Sequence, residues 1–107
     1  MSRPKKCRRV GFIPENQYFY PRQHCLEEVL VFIEEIEAVR LADLEGLEQA
    51  AAAEKMNISR GTFQRIVYSA RKKIAEALVY GKAIRIEGGN YIFTGRKHGR
   101  RFRGGRG

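Results

Sequence analysis

With 107 residues, the chain is long enough for one domain with a modest core and too short for two independent ones. Its formal charge of +9 favours a polyanionic partner, and it is laid out in blocks: +5 over residues 1–25, −7 over 26–57, +5 over 58–95 and +6 over 96–107. The longest apolar run, Val29 to Ile33, is far too short for a membrane span or a secretory signal. A cytoplasmic protein with no membrane partner is therefore expected, and two cysteines make no disulfide framework there.

Residues 1–9 form a basic arm with no apolar face, expected to be flexible. Val10 to Pro21 carries Val10, Phe12, Ile13, Tyr18, Phe19 and Tyr20 but is broken by Pro14 and Pro21, which confine it to short extended or edge pieces packed on the domain. Val29 to Ile33, β-branched and aromatic, reads as a short strand or a buried helical turn. A helix is expected from about Glu34 to Leu44, where Ile36, Val39 and Leu41 mix with Glu34, Glu35, Glu37 and Arg40. Gly46 ends it, and the next helix runs from Leu47 to Met56.

The stretch from Gln49 to Tyr68 carries the clearest signal. Ala52, Ala53 and Met56 share one face of a first helix, Ile58 fills the corner, and Phe63, Ile66 and Val67 repeat helical spacing on a second. Asn57 tolerates the left-handed backbone that a sharp helix exit needs, and Ser59 is a natural N-cap. Ser59, Arg60, Thr62, Gln64, Arg65 and Ser69 remain for the outer face, all able to bond a base edge or a phosphate. That pattern predicts a helix-turn-helix, although any packed helix pair gives a similar apolar seam.

The second helix is long, its stripe running through Phe63, Ile66, Val67, Ala70, Ile74, Ala77 and Leu78 to a C-cap at Gly81. Arg71, Lys72 and Lys73 lie in its second half, where cations also suit the helix dipole. From Ala83 to Thr94 the apolar period becomes two. Gly88 and Gly89 then supply a hairpin turn that places Ile84, Ile86, Tyr91 and Phe93 on one face. Such a hairpin either touches nucleic-acid backbone as a wing or only covers the core. Residues 95–107 are rich in arginine and glycine and read as a disordered polycation, a salt-sensitive nucleic-acid contact or a solubilising tail.

Taken in order, Arg3 to Lys6, Glu37 to Leu47, Ser59 to Arg65, Ala70 to Lys73 and Gly81 to Tyr91 resemble a family of small, uncharacterised bacterial and archaeal proteins predicted to bind DNA, known as domain of unknown function 134. The helix-turn-helix of that family is similar to region four of the primary sigma factors. The resemblance covers about residues 3–91 and implies a transcription regulator in which Ser59, Arg60, Thr62, Gln64 and Arg65 form the base-reading turn. Ala50 and Ala51 stand where the family usually carries acidic residues. Some relatives add a domain related to nitrogenase cofactor carriers. A basic tail follows here instead, so no cofactor role transfers and none is expected.

The expected fold is α+β, mainly α: a sigma region four-like helix-turn-helix domain over 10–94 with an extended N-terminal segment and a short C-terminal hairpin, between the arm 1–9 and the tail 95–107. The expected function is sequence-specific binding of double-stranded DNA. Ser59, Arg60, Thr62, Gln64 and Arg65 read bases, while Arg71, Lys72, Lys73, Lys82 and Arg85 hold phosphates. One module reads few bases, so a homodimer is expected, and the acidic helix around Glu34, Glu35 and Glu37 suggests an RNA polymerase contact. The rival is an RNA- or ribosome-binding protein that uses its basic arms. Cys7, His24, Cys25 and His98 are too scattered for a convincing metal site, and no enzymatic constellation is visible.

Overall fold

In the computed structural model, residues 8–23 and 27–95 are described. Two short strands, β1 (Arg8–Val10) and β2 (Tyr18–Phe19), precede β3 (Glu28–Val31). Helix α1 (Ile33–Val39) continues into a wider turn over Arg40–Leu44, closed by Glu45 N–H donating to the Arg40 carbonyl at 2.8 Å. Helices α2 (Gln49–Met56) and α3 (Arg60–Tyr80) follow, then β4 (Ala83–Ile86) and β5 (Tyr91–Phe93). The architecture is α+β.

Helix α3 is 21 residues long, about 30 Å at 1.5 Å per residue, and it serves two cores. Its first half buries Phe63, Ile66 and Val67 against Ala38, Leu41, Ala52, Ala53 and Met56. Its second half places Ala77 against Val10, Val29, Val31, Ile33 and Ile86. The apolar seam expected between the two helices is thus buried, with Ile58 packed against it. Full burial of a side chain such as Phe63 or Met56 contributes on the order of 1.5–3 kcal/mol.

The strands depart from the sequence expectation. β4 and β5 do not form a hairpin: β4 lies between β2 (antiparallel) and β3 (parallel), whereas β5 runs parallel to β1. Gly88 and Gly89 do turn the chain, with φ of 74° and 111°. However, the turn docks on the start of α1, where the Gly88 carbonyl accepts from Ile33 N–H and Glu34 accepts from Asn90 N–H, both at 3.0 Å. Pairing β4 with β3 buries Val29, Val31 and Ile86 together, which an isolated two-stranded wing cannot do. Arg8 and Arg9, expected in the flexible arm, belong to β1.

Three carboxylates at the start of α1 hold these pieces together. Glu34 also accepts from Arg8, while Glu37 accepts from Gly11 N–H at 3.0 Å and, through two bonds of 2.9 Å, from Arg40. Glu35 accepts from Phe32 N–H, Ser69 and Lys73. All three are buried.

Candidate nucleic-acid interface

A three-residue corner sets the direction of α3. Asn57 adopts φ 61° and ψ 43°, the left-handed conformation in which its N–H turns back to the last carbonyls of α2, while Ile58 N–H donates to the Ala53 carbonyl at 3.0 Å. Ser59 is extended and its Oγ accepts from Thr62 N–H at 3.1 Å, a side-chain N-cap. The Ser59 hydroxyl in turn donates to Thr62 Oγ1 at 2.9 Å, and Arg65 Nη2 donates to the same oxygen at 3.2 Å. The capping residues thereby position the Arg65 guanidinium.

Because Phe63, Ile66, Val67 and Ala70 face inward, the opposite side of α3 is fixed. Arg60, Gly61, Gln64, Arg65, Tyr68 and Lys72 are exposed at spacings of three and four, which aligns them on one face. Gln64 Nε2 donates to Gln49 Oε1 at 2.6 Å, linking this face to the start of α2. Among the described residues, Arg60, Arg65 and Lys72 have no carboxylate within ion-pair distance. The unsatisfied N–H groups at the start of the helix add positive potential at the same end.

The cations expected to hold phosphates divide differently. Lys72 is exposed on this face. Arg71, three residues from Tyr68 and seven from Gln64, is exposed on the same face but grips Asp43 through two bonds of 3.0 and 2.7 Å. Lys73 turns inward, 2.8 Å from Glu35 and over the Phe32 ring. Lys82 bonds Glu76 at 2.6 Å and lies 3.3 Å from Glu27, and Arg85 grips Glu28 through two bonds of 2.9 Å while covering Tyr18. Lys82 and Arg85 follow the far end of α3, so they stand about a helix length from Ser59. Of the five expected base-reading residues, Arg60, Gln64 and Arg65 lie on the exposed face and Ser59 and Thr62 form its N-terminal cap, whereas Lys73, Lys82 and Arg85 are engaged elsewhere.

These pairs hold both partners in their charged forms. Hydrogen bonds from Arg71, Arg85 and Lys82 keep Asp43, Glu28 and Glu76 below their ordinary carboxylate values, Tyr18 also bonding Glu28. Arg71, Arg85 and Lys82 are raised in return.

Tyr68 was missed from the sequence, although its position four residues from both Gln64 and Lys72 marks it as a member of this face. Cys7, His24, Cys25 and His98 lie outside the described residues, as do most of the basic arm and the tail from residue 96. Among the described residues there is no cluster of three or more metal-ligating side chains, and no helix long and apolar enough to cross a membrane.

The fold and this face define a small α+β protein that presents one cationic helix beside a tight interhelical corner. Residues 1–94 match the model of a family described as "Protein of unknown function DUF134", and the chain belongs to that family. It is 61% identical over 102 residues to a UPF0251 protein of Ruminiclostridium cellulolyticum, covering 94% of this chain and 80% of the relative. A UPF0251 protein of Caldicellulosiruptor saccharolyticus is 61% identical over 93 residues, covering 87% and 67%. One of Caldicellulosiruptor bescii is 58% identical over 98 residues, covering 92% and 70%. No solved structure matches the chain.

Proposed function

We propose that this protein binds double-stranded DNA sequence-specifically and regulates transcription, with the Ser59 end of α3 inserted in a major groove. One observation carries the reading. Arg60, Gln64, Arg65, Tyr68 and Lys72 stand exposed on a single helix face, where Arg60, Arg65 and Lys72 make no ion pair among the described residues, while Arg71 on the same face is held by Asp43 and Lys73, Lys82 and Arg85 are paired elsewhere.

In this reading Arg60 and Arg65 fork onto guanine edges, and Gln64 exchanges Gln49 for the paired donor and acceptor of adenine. Each good bidentate contact discriminates by roughly 1–3 kcal/mol against a wrong base. Tyr68 and Lys72 meet the sugar-phosphate backbone one and two turns further along. Arg71 trades Asp43 for a phosphate at little loss, because an exposed pair contributes only ~0–1 kcal/mol. Ser59 and Thr62 act mainly by fixing the helix start and holding Arg65.

The test is fluorescence anisotropy of the full chain and two variants on a panel of duplexes at several salt concentrations. Arg65→Ala reduces the spread of affinities among sequences. Lys72→Ala weakens every duplex alike and makes the salt slope shallower by roughly 0.9, one phosphate contact. Identical behaviour of the two variants would remove the division between base reading and phosphate holding.

A further inference from the structure

The end of α3 opposite Ser59 exposes Leu78, Val79 and Tyr80, at 75%, 72% and 72% of their surface. Successive helix positions are about 100° apart, so these three cover more than half of the circumference of the last turn. The exposure is therefore more than the edge of an amphipathic stripe. Beside it, Phe19 and Tyr20 are 48% and 73% exposed, and together with Pro21, Ala77, Leu78 and Ile84 they line a groove of about 200 Å³. The groove joins the short edge strand β2 to the terminal turn of α3, making one continuous apolar face.

We propose that this face is the contact through which two copies of the chain form a two-fold symmetric dimer. Charge favours a second copy as the occupant. The molecule carries +9 overall, yet Lys82, which lines the groove, is matched by Glu76 and Glu27, so that Arg22 beside Pro21 is the exposed cation at its edge. Two copies meet here with less repulsion than they face across the Arg60–Lys72 side, where Arg60, Arg65 and Lys72 make no ion pair among the described residues. An isologous contact uses the patch twice, so modest area suffices. With aromatic side chains offering roughly 150–250 Å² each, the exposed parts of Phe19, Tyr20 and Tyr80 alone present on the order of 400 Å² per copy. Adding Leu78 and Val79 and counting both copies, the exposed apolar surface available exceeds the ~1,000 Å² total that a specific interface needs. The composition, aromatic at the centre with a Lys and Glu rim, is also that of a protein contact.

The geometry leaves the Ser59 ends free, because they lie about 30 Å away along α3. The proposal rests on the apolar face alone and does not require that α3 bind DNA.

Sedimentation equilibrium of the full chain across micromolar concentrations tests it. The wild type sediments with twice the chain mass. Leu78→Glu, and separately Tyr20→Glu, raise the dimer dissociation constant at least about tenfold while leaving the circular dichroism spectrum unchanged, since both side chains are exposed. A wild-type monomer at the highest concentration, or variants that remain as dimeric as the wild type, overturns the proposal. Arg65→Ala serves as the separating control: it stays dimeric whether or not DNA is bound. Failure of the dimer with intact sequence preference would remove this contact and leave the DNA reading untouched.

Discussion

Lys73 Nζ lies 2.8 Å from Glu35 Oε1 across 38 residues of sequence, and that pair fixes the rotation of α3 against α1. Ser69 donates to the other oxygen of the same carboxylate at 2.7 Å, one turn earlier on α3. The inward face of the helix is thus set by polar bonds as well as by Phe63 and Ile66, and the outward face follows.

Removing one partner of this pair exposes its structural role. Lys73→Met leaves the buried Glu35 charge uncompensated by its cation. It lowers the unfolding free energy by about 1–3 kcal/mol, below the range for fully buried pairs because Lys73 keeps 27% of its surface exposed. Lys72→Ala changes stability by less than about 0.5 kcal/mol. In DNA titrations the order reverses, the salt slope responding to Lys72 and not to Lys73. Urea unfolding and salt-dependent anisotropy of the two variants check both halves.

The corner at Asn57 makes a second demand. With φ at 61°, a β-branched side chain is forced into an unfavourable left-handed conformation, so Asn57→Val destabilises the protein by about 1–2 kcal/mol. Asn57→Gly keeps the turn and its backbone bonds and changes stability by less than about 1 kcal/mol. Equal losses in the two variants would mean that the side chain matters more than the backbone conformation.

Asp43 restrains Arg71, and releasing it strengthens binding to a polyanion. Asp43→Asn frees the Arg71 guanidinium on the exposed side of α3, steepening the salt slope by roughly one phosphate contact, ~0.9. Its effect on stability at neutral pH is at most about 1 kcal/mol, since the pair is half exposed. Because Arg71, Arg85 and Lys82 depress the carboxyls of Asp43, Glu28 and Glu76, these groups stabilise the fold above their ordinary values of 3.8 and 4.5. That contribution disappears as pH falls through the lowered folded values, so acid unfolding begins below the ordinary values, and Asp43→Asn flattens the profile there. Unfolding midpoints measured through the acid range check the sign.

The turn at Gly88 and Gly89 tests the strand arrangement. A Cβ at Gly89 would run into the Glu34 carboxylate and Phe32, and its φ of 111° is itself strained for other residues. Gly89→Ala therefore costs about 1–3 kcal/mol and disturbs the contact between α1 and the turn, whereas an isolated hairpin with a solvent-facing Gly-Gly turn would lose less. Hydrogen-exchange protection at Asn90 and Ile33 N–H reports the change.

Local chemistry was legible where one residue decides the outcome. The Asn57 corner, the Ser59 cap, the Gly81 exit at φ 70° and the alternation of Phe63, Ile66 and Val67 all follow from backbone preference and helical spacing. Pairing was not legible in the same way. Ile84 and Ile86 alternate equally well for a hairpin with Tyr91 and for a parallel partner in Val29 and Val31, and only the shared core decides. Long-range ion pairs are invisible to spacing as well: nothing near Arg85 or Arg71 in sequence announces Glu28 or Asp43, so free and neutralised cations looked alike. The burial of Glu34, Glu35 and Glu37 escaped notice for the same reason, since their partners Arg8, Gly11, Ser69, Lys73 and Asn90 come from distant segments.

Selection of preferred duplexes from a random DNA pool by the full chain tests the central claim most directly. The proposed groove reading by Arg60, Gln64 and Arg65 predicts enrichment of a defined motif, lost with Arg65→Ala and kept with Lys73→Met. A pool that shows no enriched motif, or single-stranded RNA competing for the protein as well as the best duplex, would contradict it.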